Sequence, residues 1–483
     1  MRIPIANICL ALLATVLSVT SGHAQAQVGD STTLAAQPVQ LPVATAPYSG
    51  NTKSPNADSA TPVSDKRALA GAQDLSPDST ALRRSYWQPF FNLTSTLDTN
   101  PRGAGNTVSL VPWGSFYGGV DLLLSSRRSD LTLDYLGGGV VSQHKNEDQP
   151  IQQLAFGERL SWRHVSISLF DQVAYFPKAV SGFYLPTGTS LTSNRELALQ
   201  PVFVPNQSIV TTVGQELTNA FIGELDLSPT PRSSLTFLES YSVVRFFNSG
   251  VLDLNDTILQ GGFNHQITRN NTIALLYRYA GFRFDNLYQP MDGHVVQFAF
   301  GRRVTGRLAF QLSAGPELSL FRTAAGQQSL GSTLPTILVF KRLSWSLDSS
   351  ITYEIRRTVL KLGYDHGVTD GGGFLAGATT DQGSLSIDSQ LSRTLAGQLI
   401  GGYASNRGAI ATAQQPVDEL YRDWFAGVTI SHTWGRRASV FLSYQVQRQA
   451  SNFACAGVGC GNGFTRQFIS LGLTGRAQPR PIT

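Results

Sequence analysis

Residues Gly118 to Gly137 read GGVDLLLSSRRSDLTLDYLG. Leu122, Leu124, Leu131, Leu133 and Tyr135 share one face of the two runs, while Asp121, Thr132 and Asp134 share the other. Alternation with a period of two is the pattern of a strand whose two faces meet different media. The polar knot Ser125–Asp130 between the runs is a tight turn, so the stretch predicts a β-hairpin. Further tight turns are expected at Arg163–His164, Ser228–Ser233, Thr268–Asn271, Val304–Gly306, Ile355–Arg357, Ser392–Thr394 and Gly435–Arg437, each flanked by alternating runs. Between hairpins the connections are long. Short turns at one end, long loops at the other and an apolar exterior are the requirements of a barrel that crosses a bacterial outer membrane.

Eight hairpins give sixteen strands, and Phe464–Thr474 adds one whose Ile469, Leu471 and Leu473 point outward. An N-terminus on the tight-turn side then needs one outward-running strand before residue 115. Tyr86–Asp98 fits that place despite Pro89. The fold class expected is all-β, a transmembrane antiparallel up-and-down barrel of about eighteen strands, sixteen being the alternative. A strand of about eleven residues, at ~3.3 Å each and tilted by ~40°, rises roughly 28 Å, enough for an apolar band of ~25 Å.

Composition agrees. Only 14% of residues are charged, against roughly 25% in soluble domains, and Gly (46 residues) and aromatics (10%) are plentiful. A formal charge of +5 is too modest to indicate nucleic acid, and no nucleic-acid motif occurs. Residues 1–26 read as a signal peptide: Arg2, an apolar run from Ile8 to Val19, and cleavage after Ala24-Gln25-Ala26, or alternatively after Gly22-His23-Ala24. Residues 27–85, rich in Ala, Thr, Pro, Ser, Gln and Asp, are expected to be a flexible, disordered periplasmic segment, a free linker in which Leu69–Gln73 is the candidate for a short helix or a peptide that tucks into the pore. The barrel is expected over 86–475, followed by a periplasmic tail, 476–483.

Lipid-facing sets follow from the alternation: Leu360, Leu362 and Tyr364; Leu385, Ile387 and Leu391; Val428, Ile430 and Trp434; Val440, Leu442, Tyr444 and Val446. Their inward partners, such as Lys361, Gly363, Asp365, Ser386, Asp388, Gln390, Gly427, Thr429 and Ser431, predict a polar, small and sparsely charged lining. Glu158, Arg159, Asp171, Glu224, Asp226 and Glu239 are candidates for a lumen constriction. Glu158, Asp171 and Glu239 nonetheless fall on the nominally outward face, which calls for a bulge, a register error or a protein-covered patch. The long loop Phe176–Gln215 is a candidate to fold inward or cap the mouth.

Of the cations, 31 are Arg and 6 are Lys. Arg127, Arg128, Arg163, Arg232, Arg269, Arg303, Arg307, Arg356, Arg357, Arg393, Arg436 and Arg437 sit in or beside the tight turns, where they can grip phosphate head groups or simply solvate the turns. Cys455 and Cys460 form a candidate disulfide in an exported, glycine-rich loop, with metal binding as the alternative; no His or acid lies close by. The mature histidines are scattered, and HExxH, GxSxG and phosphate-loop motifs do not occur. No enzyme activity, cofactor or metal is therefore expected, although a rim hydrolase assembled from distant strands stays open.

Segments such as Gly118–Gly139 and Asp423–Gln447 resemble bacterial outer-membrane β-barrels of the porin-like kind. The resemblance covers about 86–475 and implies insertion by the barrel-assembly machinery, outer-membrane lipids as surroundings and passive passage of small hydrophilic solutes. A surface-display or adhesion barrel with a blocked lumen is the alternative. Porins end on an aromatic residue, whereas this chain continues through Pro479 and Pro481.

Overall fold

A computed structural model of the chain describes residues 85–482, apart from 101–108, 143–148, 177–215, 248–252, 269, 285–289, 306, 326–335, 370–374, 376, 409–419, 436 and 453–462. The expected signal peptide, the N-terminal segment up to residue 84, the Phe176–Gln215 loop beyond its first residue and Cys455 with Cys460 lie outside the described residues.

The described chain is strand after strand: β1 (Tyr86–Asp98), β2 (Val111–Ser125), β3 (Ser129–Ser142), β4 (Gln149–Ser161), β5 (Val165–Phe176), β6 (Glu216–Thr230), β7 (Ser233–Phe246), β8 (Leu254–Thr268) and β9 (Asn271–Phe284). The second half continues with β10 (Met291–Arg303), β11 (Leu308–Ala325), β12 (Thr336–Ile355), β13 (Thr358–Thr369), β14 (Ala378–Gln390), β15 (Leu395–Gly408), β16 (Leu420–Trp434), β17 (Ala438–Ser451) and β18 (Phe464–Arg476). Each pairs antiparallel with its sequence neighbour, and β1 pairs with β18 from Phe90↔Arg476 to Asp98↔Phe468. The ring is closed. Closure satisfies every strand edge internally, the condition for strands in hydrocarbon. All eight expected turns join the expected strands, and Tyr86–Asp98 is the first strand as parity required.

Two expectations need adjustment. Strands run from 12 residues in β13 to 20 in β12, longer than the eleven or so expected. Polar residues at the rims hide the pattern while the backbone ladder continues through them. The tail is also not separate: after 477–479 a short β19 (Arg480–Pro481) continues along β1, opposite Tyr86 and Trp87, and the Arg480 guanidinium lies 5.2 Å from the Trp87 ring.

The two faces differ as the hairpin predicted. Outward side chains such as Leu343 (75% exposed), Trp434 (65%) and Phe298 (56%) have no protein cover, on strand after strand. A soluble protein does not sustain an apolar surface of this extent. Outward aromatics gather towards both rims, among them Trp162, Phe237 and Trp434 near the tight turns, and Tyr241, Trp345, Tyr403 and Trp424 towards the long loops. Such girdles mark the two interfaces of a membrane barrel.

The seam between first and last strands is fastened from inside. Thr96 and Ser470 share a hydrogen bond of 2.9 Å, and Asn92 donates to Thr474 at 2.9 Å. Near the long-loop end Arg466 and Asp98, 1% and 0% exposed, form a fork of bonds at 2.5–3.1 Å, with the guanidinium over the Phe468 ring at 4.5 Å.

Candidate functional site

A barrel of eighteen strands has a wide interior, so its inward side chains are the candidate site. Inward positions follow directly from pairing register and burial, and they divide the wall into two unlike halves.

From β11 to β16 the wall is mainly hydroxyls, amides and carboxylates, with Phe321 on β11 and a small cluster of Leu375, Ala378 and Tyr421 as apolar groups at the long-loop end. Small side chains alternate with outward Leu, Ile and Tyr, which is why the strands form here without an apolar interior. Ser313, Ser346, Asp348, Ser384, Ser386 and Asp388 face inward. Asp348 stands directly opposite Asp365 on β13. Gln297 on β10 donates to Asp348 at 2.7 Å and to Ser346 at 2.8 Å, and Ser313 donates to Asp348 at 3.0 Å. Gln398 holds Asp388 at 2.8 Å, and Gln447 holds Asp423 at 3.0 Å. Glu317 accepts the backbone N–H of Val368 at 3.2 Å, just past the last β12–β13 pair, His366↔Leu347.

The expected lining of small polar groups is therefore present on these strands, but it is more acidic than expected. Inward carboxylates there are Glu317, Asp348, Glu354, Asp365, Asp388 and Asp423, against Arg342 and Lys361. The lining reads as sparsely charged in sequence because no strand carries more than two of these acids and β15 carries none. Adjacent registers bring them onto one wall.

The other half departs from the expected polar lining. Phe90, Trp113, Tyr117, Leu136, Val140, Ile151 and Phe468 form a buried cluster inside β1–β4 and β18. A second cluster, Val244, Phe246, Leu254, Phe282, Phe284, Met291 and Phe321, lies at the long-loop ends of β7–β11. Both are inward. On these strands inner and outer faces are each apolar over part of their length, so alternation weakens and the inward set cannot be read from hydropathy.

The charged candidates also divide. Arg159, Glu224 and Asp226 point inward, and Arg159 and Glu224 flank Ser168 in one row across β4, β5 and β6. Asp226 accepts from Thr236 at 2.7 Å. Glu158, Asp171 and Glu239 stand on the outer face and line no constriction. The ladders carry no bulge at these residues that would turn them inward; the irregularity in β6–β7 lies nearer the turn, between Leu227 and Thr230. Asp171 accepts from Asn219, also outward, at 2.8 Å.

Arg127, Arg128, Arg163, Arg232, Arg307, Arg356, Arg357, Arg393 and Arg437 are exposed at the tight-turn rim and Arg303 is half-buried there; Arg269 and Arg436 lie outside the described residues. Among the described residues no group of His, Cys, Asp and Glu is arranged to hold a metal ion.

No family model and no curated protein matches the chain. Among solved structures it is similar to OccK2 (OpdF) of Pseudomonas aeruginosa, at 10% identity and a TM-score of 0.41, covering 81% of this chain and 98% of that one. OccAB1 of Acinetobacter baumannii gives 11% identity and 0.42, covering 81% and 96%. The OccK2 complex with glucuronate gives 10% and 0.41, covering 83% and 98%.

Proposed function

We propose that the chain is an outer-membrane channel through which small hydrophilic solutes diffuse, with both termini in the periplasm and without catalysis or cofactor. The observation that carries this reading is a closed ring whose exterior is apolar and whose β11–β16 inner wall is mainly hydroxyl, amide and carboxylate. Such a wall replaces part of a solute's hydration as it passes, without holding it tightly. The surplus of inward carboxylates sets a preference for cationic and neutral solutes over anions.

The turn arginines are read as contacts to anionic head groups of the inner leaflet, since guanidinium forks match phosphate. The barrel-assembly machinery is the expected route of insertion. A second reading, a barrel that displays its loops while its lumen is blocked, is favoured by the two inward apolar clusters, one of them at the long-loop ends of β7–β11.

Planar-bilayer recording separates the two. Discrete steps on the nanosiemens scale from folded, purified protein support the channel. Silent insertion of folded protein favours the blocked barrel.

A further inference from the structure

Near the long-loop ends of β15, β16 and β17, three arginines project from the outer face on adjacent strands: Arg407, Arg422 and Arg448, all exposed. Arg422 pairs with Ser405 and with Ala450, so Arg407 and Arg448 are its diagonal neighbours on either side. Diagonal neighbours in a sheet stand about 7–8 Å apart, within reach of long side chains. The outward rings of Tyr403 and Trp424 stand in the same register row as Arg448, and Tyr444 lies two outward positions nearer the tight turns; they are 47%, 38% and 39% exposed. Charges at and above the upper edge of an aromatic belt are at head-group depth.

The residues around them sharpen the case. Among the described residues no carboxylate pairs with any of the three. The outward Asp381, opposite Ser405, is engaged by His366 at 2.6 Å and Tyr364 at 2.9 Å. Elsewhere on the same rim cations are neutralised by the protein itself: Asp292 binds Arg283 at 2.7 Å and Arg322 at 2.9 Å. Like charges set side by side on a sheet repel one another. A dianionic phosphate offers three acceptor oxygens to forks that each donate two parallel N–H bonds.

We propose that Arg407, Arg422 and Arg448 form a binding site for the phosphate monoester of a lipid in the leaflet next to the long loops. The site rests on the membrane reading above. Guanidinium groups take the phosphate, and the Tyr403, Trp424 and Tyr444 rings take the upper part of the acyl chains.

The test uses the full mature protein, refolded and mixed with a phosphorylated glycolipid, with the same lipid after phosphatase treatment, or with inorganic phosphate alone. Lipid retained per barrel is read by native mass spectrometry, and vesicle flotation and conductance are read in parallel. The wild type is expected to retain the phosphorylated lipid at least tenfold better than the dephosphorylated form. R407Q/R422Q/R448Q is expected to lose that difference while floating and conducting as before, and R407K/R422K/R448K to fall between. Equal retention by the wild type and the Gln variant overturns the site. Tight binding of inorganic phosphate that displaces the lipid overturns the lipid assignment. A wild type that stays out of vesicles overturns the membrane reading itself and the site with it.

Discussion

Arg466 and Asp98 show how much one pair can hold at the closing seam. Both are almost wholly buried, so removing one partner leaves an uncompensated charge, at a cost of about 3–5 kcal/mol. Asp98→Ala is expected to lower the unfolding midpoint sharply in detergent, and Asp98→Leu with Arg466→Leu to recover most of the loss. Scanning both in the same micelles checks the sign. Glu239 presents the opposite case, a carboxylate on the outer face with hydrocarbon as its expected neighbour. Glu239→Leu is expected to raise thermal stability in lipid bilayers. A drop would mean that a protein partner covers this part of β7 instead.

Hairpins are the unit in which this chain is built, and their turns set the register of everything above them. The β12–β13 turn is only Arg356-Arg357, with Arg356 at φ 52°. That left-handed backbone costs an L-residue roughly 1 kcal/mol and glycine almost nothing. Arg356→Gly should therefore slow unfolding modestly, whereas Gly435→Ala, at φ 69° in the β16–β17 turn, should hasten it by a similar margin. Unfolding rates of the two variants, followed by loss of the folded band on unheated gels, test both signs.

For the molecule as a whole, the charge on the β11–β16 wall is the property most open to measurement. Under a salt gradient the reversal potential should show cations favoured over anions. Asp348→Asn with Asp365→Asn should move it towards zero while leaving conductance of the same order, because the two side chains face each other across one register pair of the wall. An anion-favouring wild type would place the conducting path elsewhere in the barrel.

The strand count, turn positions and outward faces were legible in the sequence, because hydrocarbon outside imposes a period-two signal on every strand that crosses it. Arg159, Glu224 and Asp226 were placed inward by the same counting, and it set Glu158, Asp171 and Glu239 outward. Two things depended on tertiary structure, whereas the facing of Asp348 with Asp365 follows from the Ile355–Arg357 turn alone. The clustering of Phe282, Met291 and Phe321, and the alignment of Arg407, Arg422 and Arg448, each bring together side chains from three strands. Register between strands, and the curvature that closes the ring, bring such residues together, and neither leaves a local trace in composition or periodicity.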